Sequence, residues 1–266
     1  MSDAAAPPLP PMPTVRTISY HDLRDVLRLG WADFRRAPAF GLFFGGVFAV
    51  GGMILWLLLS RWNMPWLMLP LGLGFPLLGP FVAAGLYQVS RQLARGEKLR
   101  WGHILGVMVA QRKRELGWMA FVTLFIFWIW VYQVRLLLAI IMGRLSFSSL
   151  PQFMDLVFST TEGWTFLVVG TCVGALLSLV LFASTVASVP LLLDRDRDFI
   201  TALITSWQVV LRNPGPMLAW GVLVTALVMI GIGTFFVGLI VVLPVLGHAT
   251  WHLYRRTVVP AGPNER

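Results

Sequence analysis

Met217-LAWGVLVTALVMIGIGTFFVGLIVVLPVLGHAT-Trp251 runs for 35 residues without one Asp, Glu, Lys or Arg. As a single helix it would be about 52 Å long, against a hydrocarbon core of about 30 Å. Two helices joined near Gly231, Ile232 and Gly233 fit that core better, which predicts spans at 217–232 and 234–251. A re-entrant pair and one long tilted helix are the competing readings.

The same signal recurs upstream. Apolar runs predict spans at 40–59, 66–89, 116–136 and 165–193. Hydrophobic residues make up 57% of the 266-residue chain and charged residues 12%, well away from a soluble domain at about 25% charged. The expectation is an all-α membrane protein of six transmembrane helices: a proline-rich tail at 1–17, one membrane domain at 18–258 and a short tail at 259–266. The tail holds Pro7, Pro8, Pro10, Pro11 and Pro13 and no apolar core, so it does not read as a signal peptide. Its Pro7-to-Pro10 spacing reads as a plain extended tail rather than an SH3 ligand. Gly72, Gly74, Pro76, Gly79 and Pro80 require the second span to bend.

Between the spans lie stretches read as amphipathic, interfacial helices on the cytoplasmic side. Ser19 to Arg36 opens with a capping-box pair, Ser19 and Asp22. Tyr20, Leu23, Leu27, Trp31 and Phe34 are placed on its apolar side; Asp22, Arg24, Asp25, Arg28, Asp33, Arg35 and Arg36 on the other. A second such stretch centres on Trp101 to Met108. A third, in 194–213, sets Phe199, Leu203, Trp207 and Val210 against Thr201, Thr205, Gln208 and Arg212. A short helix is expected after Ser149 and Pro151 in the polar loop 144–163.

Lys and Arg fix the expected orientation. Eighteen fall in the N-terminal segment, the 91–114 connector, the 194–213 connector and the C-terminal segment, while Arg61 and Arg144 face the other way. Basic loops stay inside, which puts both termini in the cytoplasm of a bacterial inner membrane. The same placement argues against nucleic acid as the partner of a +9 chain and for the anionic headgroups of membrane lipids.

A repeat of an amphipathic helix plus a two-span hairpin can be aligned. Trp31-x4-Arg36-Ala37-Pro38 matches Trp207-x4-Arg212-Asn213-Pro214, and Pro80 precedes Arg91 by the same 11 residues that separate Pro244 from Arg255. Duplication is one reading; the other is that arginine and proline are simply common at membrane interfaces.

These elements together resemble a bacterial family of predicted integral membrane proteins, the DUF2189 family, over about residues 16–258. They are the Trp31–Arg36 lead helix, the glycine- and proline-broken second span, Ser206-Trp207-x4-Arg212-Asn213-Pro214, and the closing hairpin with Leu243-Pro244 and Tyr254-Arg255-Arg256. The resemblance implies an inner-membrane location and no known reaction, so no catalytic residue is carried over. Members can carry an oxidase-subunit label. Four histidines, with His21 and His103 outside the spans, are too few for a haem–copper centre.

Five residues are candidates for lipid or solute contact. His248 and His252 share a helical face four residues apart, but sequence offers no third metal ligand and no carboxylate beside them, so packing or hydrogen bonding is the favoured reading. Arg135, beside Gln133 in the third span, either snorkels to the outer interface or meets a lipid headgroup. Trp207 and Arg212 are interfacial. Gly170, Gly174 and Ser178 read as a close-packing stripe. Asp194-Arg195-Asp196-Arg197-Asp198 reads as a solvated helix cap rather than a Ca²⁺ loop, because arginines interleave the acids. No cofactor, metal site or enzymatic constellation is expected. The expected function is a non-catalytic accessory, assembly or membrane-organising factor, with another membrane protein complex as a candidate partner. The alternative is a carrier for a lipid or weakly polar small molecule.

Overall fold

A computed structural model describes residues 12–61, 74–112, 115–143 and 150–259. The expectations for the proline-rich tail at 1–11, the start of the second span, Arg144 and the C-terminal tail beyond 259 lie outside the described residues.

The described chain begins and ends in one place. β1 (Thr14–Val15) pairs antiparallel with β2 (Val258–Val259), and Arg16 N–H donates to the Thr257 carbonyl at 2.8 Å. α1 (Tyr20–Arg36) follows, its first turn closed by the Asp22 carboxylate, which accepts from Ser19 N–H and Ser19 Oγ–H, both at 2.8 Å. Pro38 then opens α2 (Pro38–Ser60). Proline drives the residue before it out of the helical region, so Ala37 sits at φ −133°, ψ 54°. Far along the chain α9 (Phe199–Arg212) meets α10 (Pro214–Gly233) through Asn213, at φ −129°, ψ 51°. The two junctions aligned in the sequence thus share one backbone conformation.

Between them run α3 (Gly74–Ala94, with Pro80 inside it), α4 (Trp101–Arg112), α5 (Leu116–Ile141), α6 (Leu150–Ser159), α7 (Thr161–Thr185) and α8 (Ser188–Asp194). The expected fourth span is interrupted at Val186 and Ala187. Pro190 has no N–H to bond the Val186 carbonyl, and Ala187 N–H turns to Ser206 Oγ at 3.1 Å.

The 35-residue block is a hairpin, α10 followed by α11 (Leu239–Thr257). Its turn lies at 234–238, a few residues beyond the expected joint, and α11 runs past the expected end at 251. Phe235 and Phe236 adopt left-handed backbone, φ 59° and 67°, which costs roughly 1–2 kcal/mol each. Packing offsets it: the Phe235 ring meets Trp56 edge-on at 4.5 Å, and Phe236 fills the space left by Gly52.

α11 then returns antiparallel along α2, Ile240 facing Gly45 and Pro244 facing Gly41, and continues onto α1. The approach is backbone to backbone. A Cβ on Gly45 would stand 2.5 Å from the Ile240 carbonyl oxygen, and one on Gly30 2.6 Å from that of Val245.

Four helical stretches are long and apolar enough to cross a membrane: Pro38–Leu58, Leu116–Ile141, Thr161–Asp194 and Pro214–Gly233. The architecture is all-helical apart from the terminal strand pair. The buried core collects where the helix ends converge on that pair, around Trp220, Trp251, Tyr254, Met119 and Leu191.

Several faces differ from expectation. On α1 the buried residues are Leu23, Val26, Gly30, Asp33 and Phe34, while Tyr20 and Trp31 are exposed. The face was chosen by its fit to α11, which needs a glycine and a carboxylate. On α9 Thr205 is buried, its hydroxyl donating to the Thr201 carbonyl, while Ile200, Ile204 and Leu211 point outward. α4 is not one-sided: Ile104 is buried and Trp101, Leu105 and Val109 are exposed. The Gly170–Gly174 stripe brings no backbone close; a Cβ there would meet Leu137 and Trp130 at an ordinary 3.8 Å.

Candidate functional site

Polar chemistry is concentrated at the strand-pair end, in two clusters. The first lies between α1, α3 and α11. His252 Nε2 is 2.8 Å from Asp33 Oδ2, and one turn earlier on α11 His248 Nδ1 is 2.8 Å from Ser90 Oγ. Ser90 and His248 are fully buried, and Asp33 is 5% exposed. This corrects the sequence reading at one point: a carboxylate does stand beside these histidines, brought from 219 residues away. Burial pushes the Asp33 carboxyl up, but hydrogen bonds from His252 and Ser90 outweigh it and hold the group below its ordinary value.

Serine, histidine and aspartate in one cluster invite comparison with a hydrolase. The geometry does not support it. Ser90 is walled in, and its hydroxyl is engaged by His248 and Asp33 rather than free to meet a substrate. Among the described residues no group of three or more His, Cys, Asp or Glu is arranged to hold a metal ion.

The second cluster centres on Asp194, the last residue of α8. Its side chain is only 7% exposed. It accepts from Tyr254 Oη–H at 3.0 Å and lies 3.5 Å from Arg91 Nε, 3.6 Å from Arg255 and 3.9 Å from Arg195. Arg91 also donates to the Leu193 carbonyl at 3.2 Å, and Arg195 to that of Val259 at 3.4 Å. The alternating run is therefore no solvated cap as a whole. Asp198 does cap α9, accepting from Thr201 N–H at 2.8 Å, but the side chains of Asp194 and Arg195 are each only 7% exposed and Arg197 is buried. Arg256 completes the closure by pairing with Asp22 and with Asp25, the latter at 3.1 Å.

Asn213 ties the N-terminal segment in. Its Oδ1 accepts from Ile18 N–H at 2.8 Å, and its Nδ2 donates to the carbonyls of Arg16 and Val209 at 3.1 and 3.0 Å.

The other candidates stand apart. Trp207 Nε1–H donates to Ser184 Oγ at 3.2 Å, and Arg212 is exposed at the end of α9. Arg135 is exposed on α5 and is not part of the lining of an open trough of about 760 Å³ formed by Phe121, Phe125, Trp128, Tyr132, Gln133 and Leu136 among others. The trough is mainly apolar, and Gln133 at its wall has Nε2 and Oε1 both shielded and without a hydrogen-bond partner. Asp33 and Ser90 were not singled out as site residues by the sequence, and Asp194 was read only as part of a solvated charge run. The available signal was polar side chains (Gln88, Ser90, Gln92) breaking the end of an apolar span.

Comparison with known families fits this architecture. Residues 67–194 match the DUF2189 family, described as a predicted integral membrane protein. The recognition from sequence stands, over a narrower range than 16–258. No curated protein and no solved structure matches the chain. The DUF2189 segment carries Ser90, Arg91, Asp194 and the α5 trough; Asp33, His248 and His252 lie outside it. The chain is a multi-pass integral membrane protein, and the DUF2189 family is one of unknown function.

Proposed function

We propose that this protein is a non-catalytic accessory or membrane-organising factor of the bacterial inner membrane, crossing it six times with both ends in the cytoplasm. One observation carries the functional reading: the ionisable groups of the strand-pair end bind one another, whereas the open trough is apolar. The buried charges and histidines are spent on closing the helix ends together, and the surface offered outward suits lipid chains or another membrane helix.

Six crossings are supported by two features beyond the four long apolar stretches. The β1–β2 pairing brings the two ends of the described chain together, which favours an even count. The antiparallel run of α11 along α2 favours α11 as a companion crossing, with α3 as the sixth. The basic connectors favour the cytoplasm for that face, where exposed Arg24, Arg28, Arg35, Arg36 and Arg212 would meet anionic headgroups at roughly 1 kcal/mol per residue. The matching Ala37 and Asn213 junctions favour a true duplication.

A carrier for a lipid or weakly polar molecule is the second reading, favoured by the trough and by Pro80 within α3. Purification of the intact chain in mild detergent separates the two. The accessory reading expects a stoichiometric complex with a second integral membrane protein. A chain that purifies alone and speeds transbilayer movement of a fluorescent phospholipid in liposomes would replace it with the carrier.

A further inference from the structure

We infer that α4 is embedded among the acyl chains of one leaflet, beside α2 and α3, with Lys98 and Arg100 on the phosphates of anionic phospholipid. It is a half-membrane helix, not a connector resting on the surface. Its depth is argued from α4 and its neighbours alone. Only the choice of leaflet, cytoplasmic, rests on the proposed topology.

Composition comes first. From Trp101 to Gln111 the chain has no Asp, Glu, Lys or Arg. The 12 residues of α4 span about 18 Å, too short to cross about 30 Å of hydrocarbon. A helix lying on a membrane surface needs a strongly polar side. α4 lacks one. Trp101, Leu105 and Val109 are 39%, 38% and 65% exposed, and a Cβ on Gly102 or Gly106 would meet nothing within 4 Å. Its one titratable side chain, His103, lies against α3, Nε2 to Nε2 of Gln88 at 3.2 Å.

Neighbours fix the depth. α2 opens at Pro38 and forms one of the apolar stretches long enough to cross a membrane. The Trp101 ring stacks on Phe40 at 4.0 Å and 29° and meets Phe43 edge-on at 5.2 Å. Ile104 is buried with Phe40, Phe44 and Leu86, and Met108 packs against the same cluster. Phe44 stands about 9 Å along α2 from Pro38. α4 is therefore level with the first two turns of a spanning helix, not above them. Its outward side continues into Phe43, itself 48% exposed, so both meet the same solvent.

Charge names the lipid. Lys98 and Arg100 are exposed at the start of α4. Cations there face the positive end of the helix dipole, a conflict that an adjoining anionic phosphate removes. An apolar helix at acyl depth with cations at its entrance matches the two layers of an anionic leaflet in order.

The test uses the full-length protein in liposomes of phosphatidylglycerol and phosphatidylcholine. Cys172, the one cysteine, is replaced by serine, and bimane is attached at Leu105→Cys or, separately, at Val109→Cys. Both side chains are exposed, so thermal unfolding should hardly move. Lipids brominated on their acyl chains should quench both labels, and aqueous iodide neither. The quenching should report phosphatidylglycerol enriched about fivefold over phosphatidylcholine. Lys98→Gln with Arg100→Gln should abolish that preference and keep the acyl quenching. Iodide quenching would put α4 in water and overturn the inference. Quenching by neither agent would do the same, because a second chain would then cover the face. Equal quenching by the two lipids with Lys98 and Arg100 in place would refute the anionic partner. A C-terminal tag reporting from the outer face would overturn the proposed topology alone, since acyl quenching does not depend on which leaflet holds α4.

Discussion

α11 and α5 are both apolar helices of a membrane protein, yet they are used in opposite ways. α11 is buried on nearly every side along its second half, where His248, Ala249, Trp251, Leu253 and Tyr254 are each 2% exposed or less. It runs against α1, α2 and α3 through glycine contacts and ends in ion pairs. In α5 the buried residues are Leu116, Met119 and Ala120 in its first turns and Ile126 farther along, while Phe121, Phe125, Tyr132 and Ile140 are more than half exposed. The difference teaches what each environment demands. Lipid accepts any apolar face without selecting its shape, whereas a protein neighbour selects shape, hydrogen bonds and charge. Stability should therefore sit at the strand-pair end, and α5 should be free to vary in stability terms.

The strongest way to break this contrast is Asp194→Ala. It would leave the half-buried Arg91 without this carboxylate and orphan the Tyr254 hydroxyl. The expected loss is about 3 kcal/mol, toward the low end for a disrupted buried pair because Arg255 is mostly solvated. Thermal unfolding in mild detergent measures it. A change below about 0.5 kcal/mol would mean the cluster is surface electrostatics and the contrast is false.

Next comes Gly30→Ala. The added methyl would stand 2.6 Å from the Val245 carbonyl oxygen and 2.7 Å from Ala249 N, both backbone atoms that cannot rotate away. Overpacking of this kind costs about 2 kcal/mol. α1 should loosen from α11, which limited proteolysis after the N-terminal segment would register. Full retention of stability would show that α1 is an interfacial helix resting on lipid, as its pattern first implied.

That pattern explains how far the sequence could be read. Apolar runs disclosed α2, α5, α7 and the α10–α11 hairpin because leaving water is a property of each residue alone. Pro38 and Pro214 disclosed the two junctions because proline acts on its immediate neighbours. The faces of α1 were misassigned because Tyr20 and Trp31 are as content in lipid as in a core; Gly30 and Asp33 chose the buried side, and their partners arrive after residue 240. The site was hidden for the same reason. Ser90, Asp33 and Asp194 are ordinary polar residues until a helix from the far end of the chain supplies His248, His252 and Tyr254. Gln133 was visible beside Arg135, but nothing in a sequence shows that an amide lacks a partner.

Acid sharpens the contrast by addressing the polar end alone. Asp33 is held below its ordinary 3.8 in the folded protein, so the folded state keeps the carboxylate longer than the unfolded chain does. Its contribution is fully present above that value and disappears as pH falls through the lower folded-state value. Stability should thus fall below about pH 4, and Asp33→Asn should flatten that fall while weakening the protein at neutral pH. Asp22 and Asp198 shift in the same direction, so the slope shrinks rather than vanishes. An unchanged slope would remove Asp33 from the groups that hold the end closed.

The smallest expected effect tests the other half. Ile140 is 71% exposed near the end of α5. In water, truncating it would expose less apolar surface and be close to neutral; in a bilayer, lipid fills the space a missing side chain leaves. Ile140→Ala should therefore change stability by less than about 0.5 kcal/mol in detergent. A loss of about 2 kcal/mol or more would mean that this face packs against protein, as a cavity in a filled core would. Helix α5 would then resemble α11, with a neighbour rather than lipid as its solvent, and the neighbour would have to be a second chain.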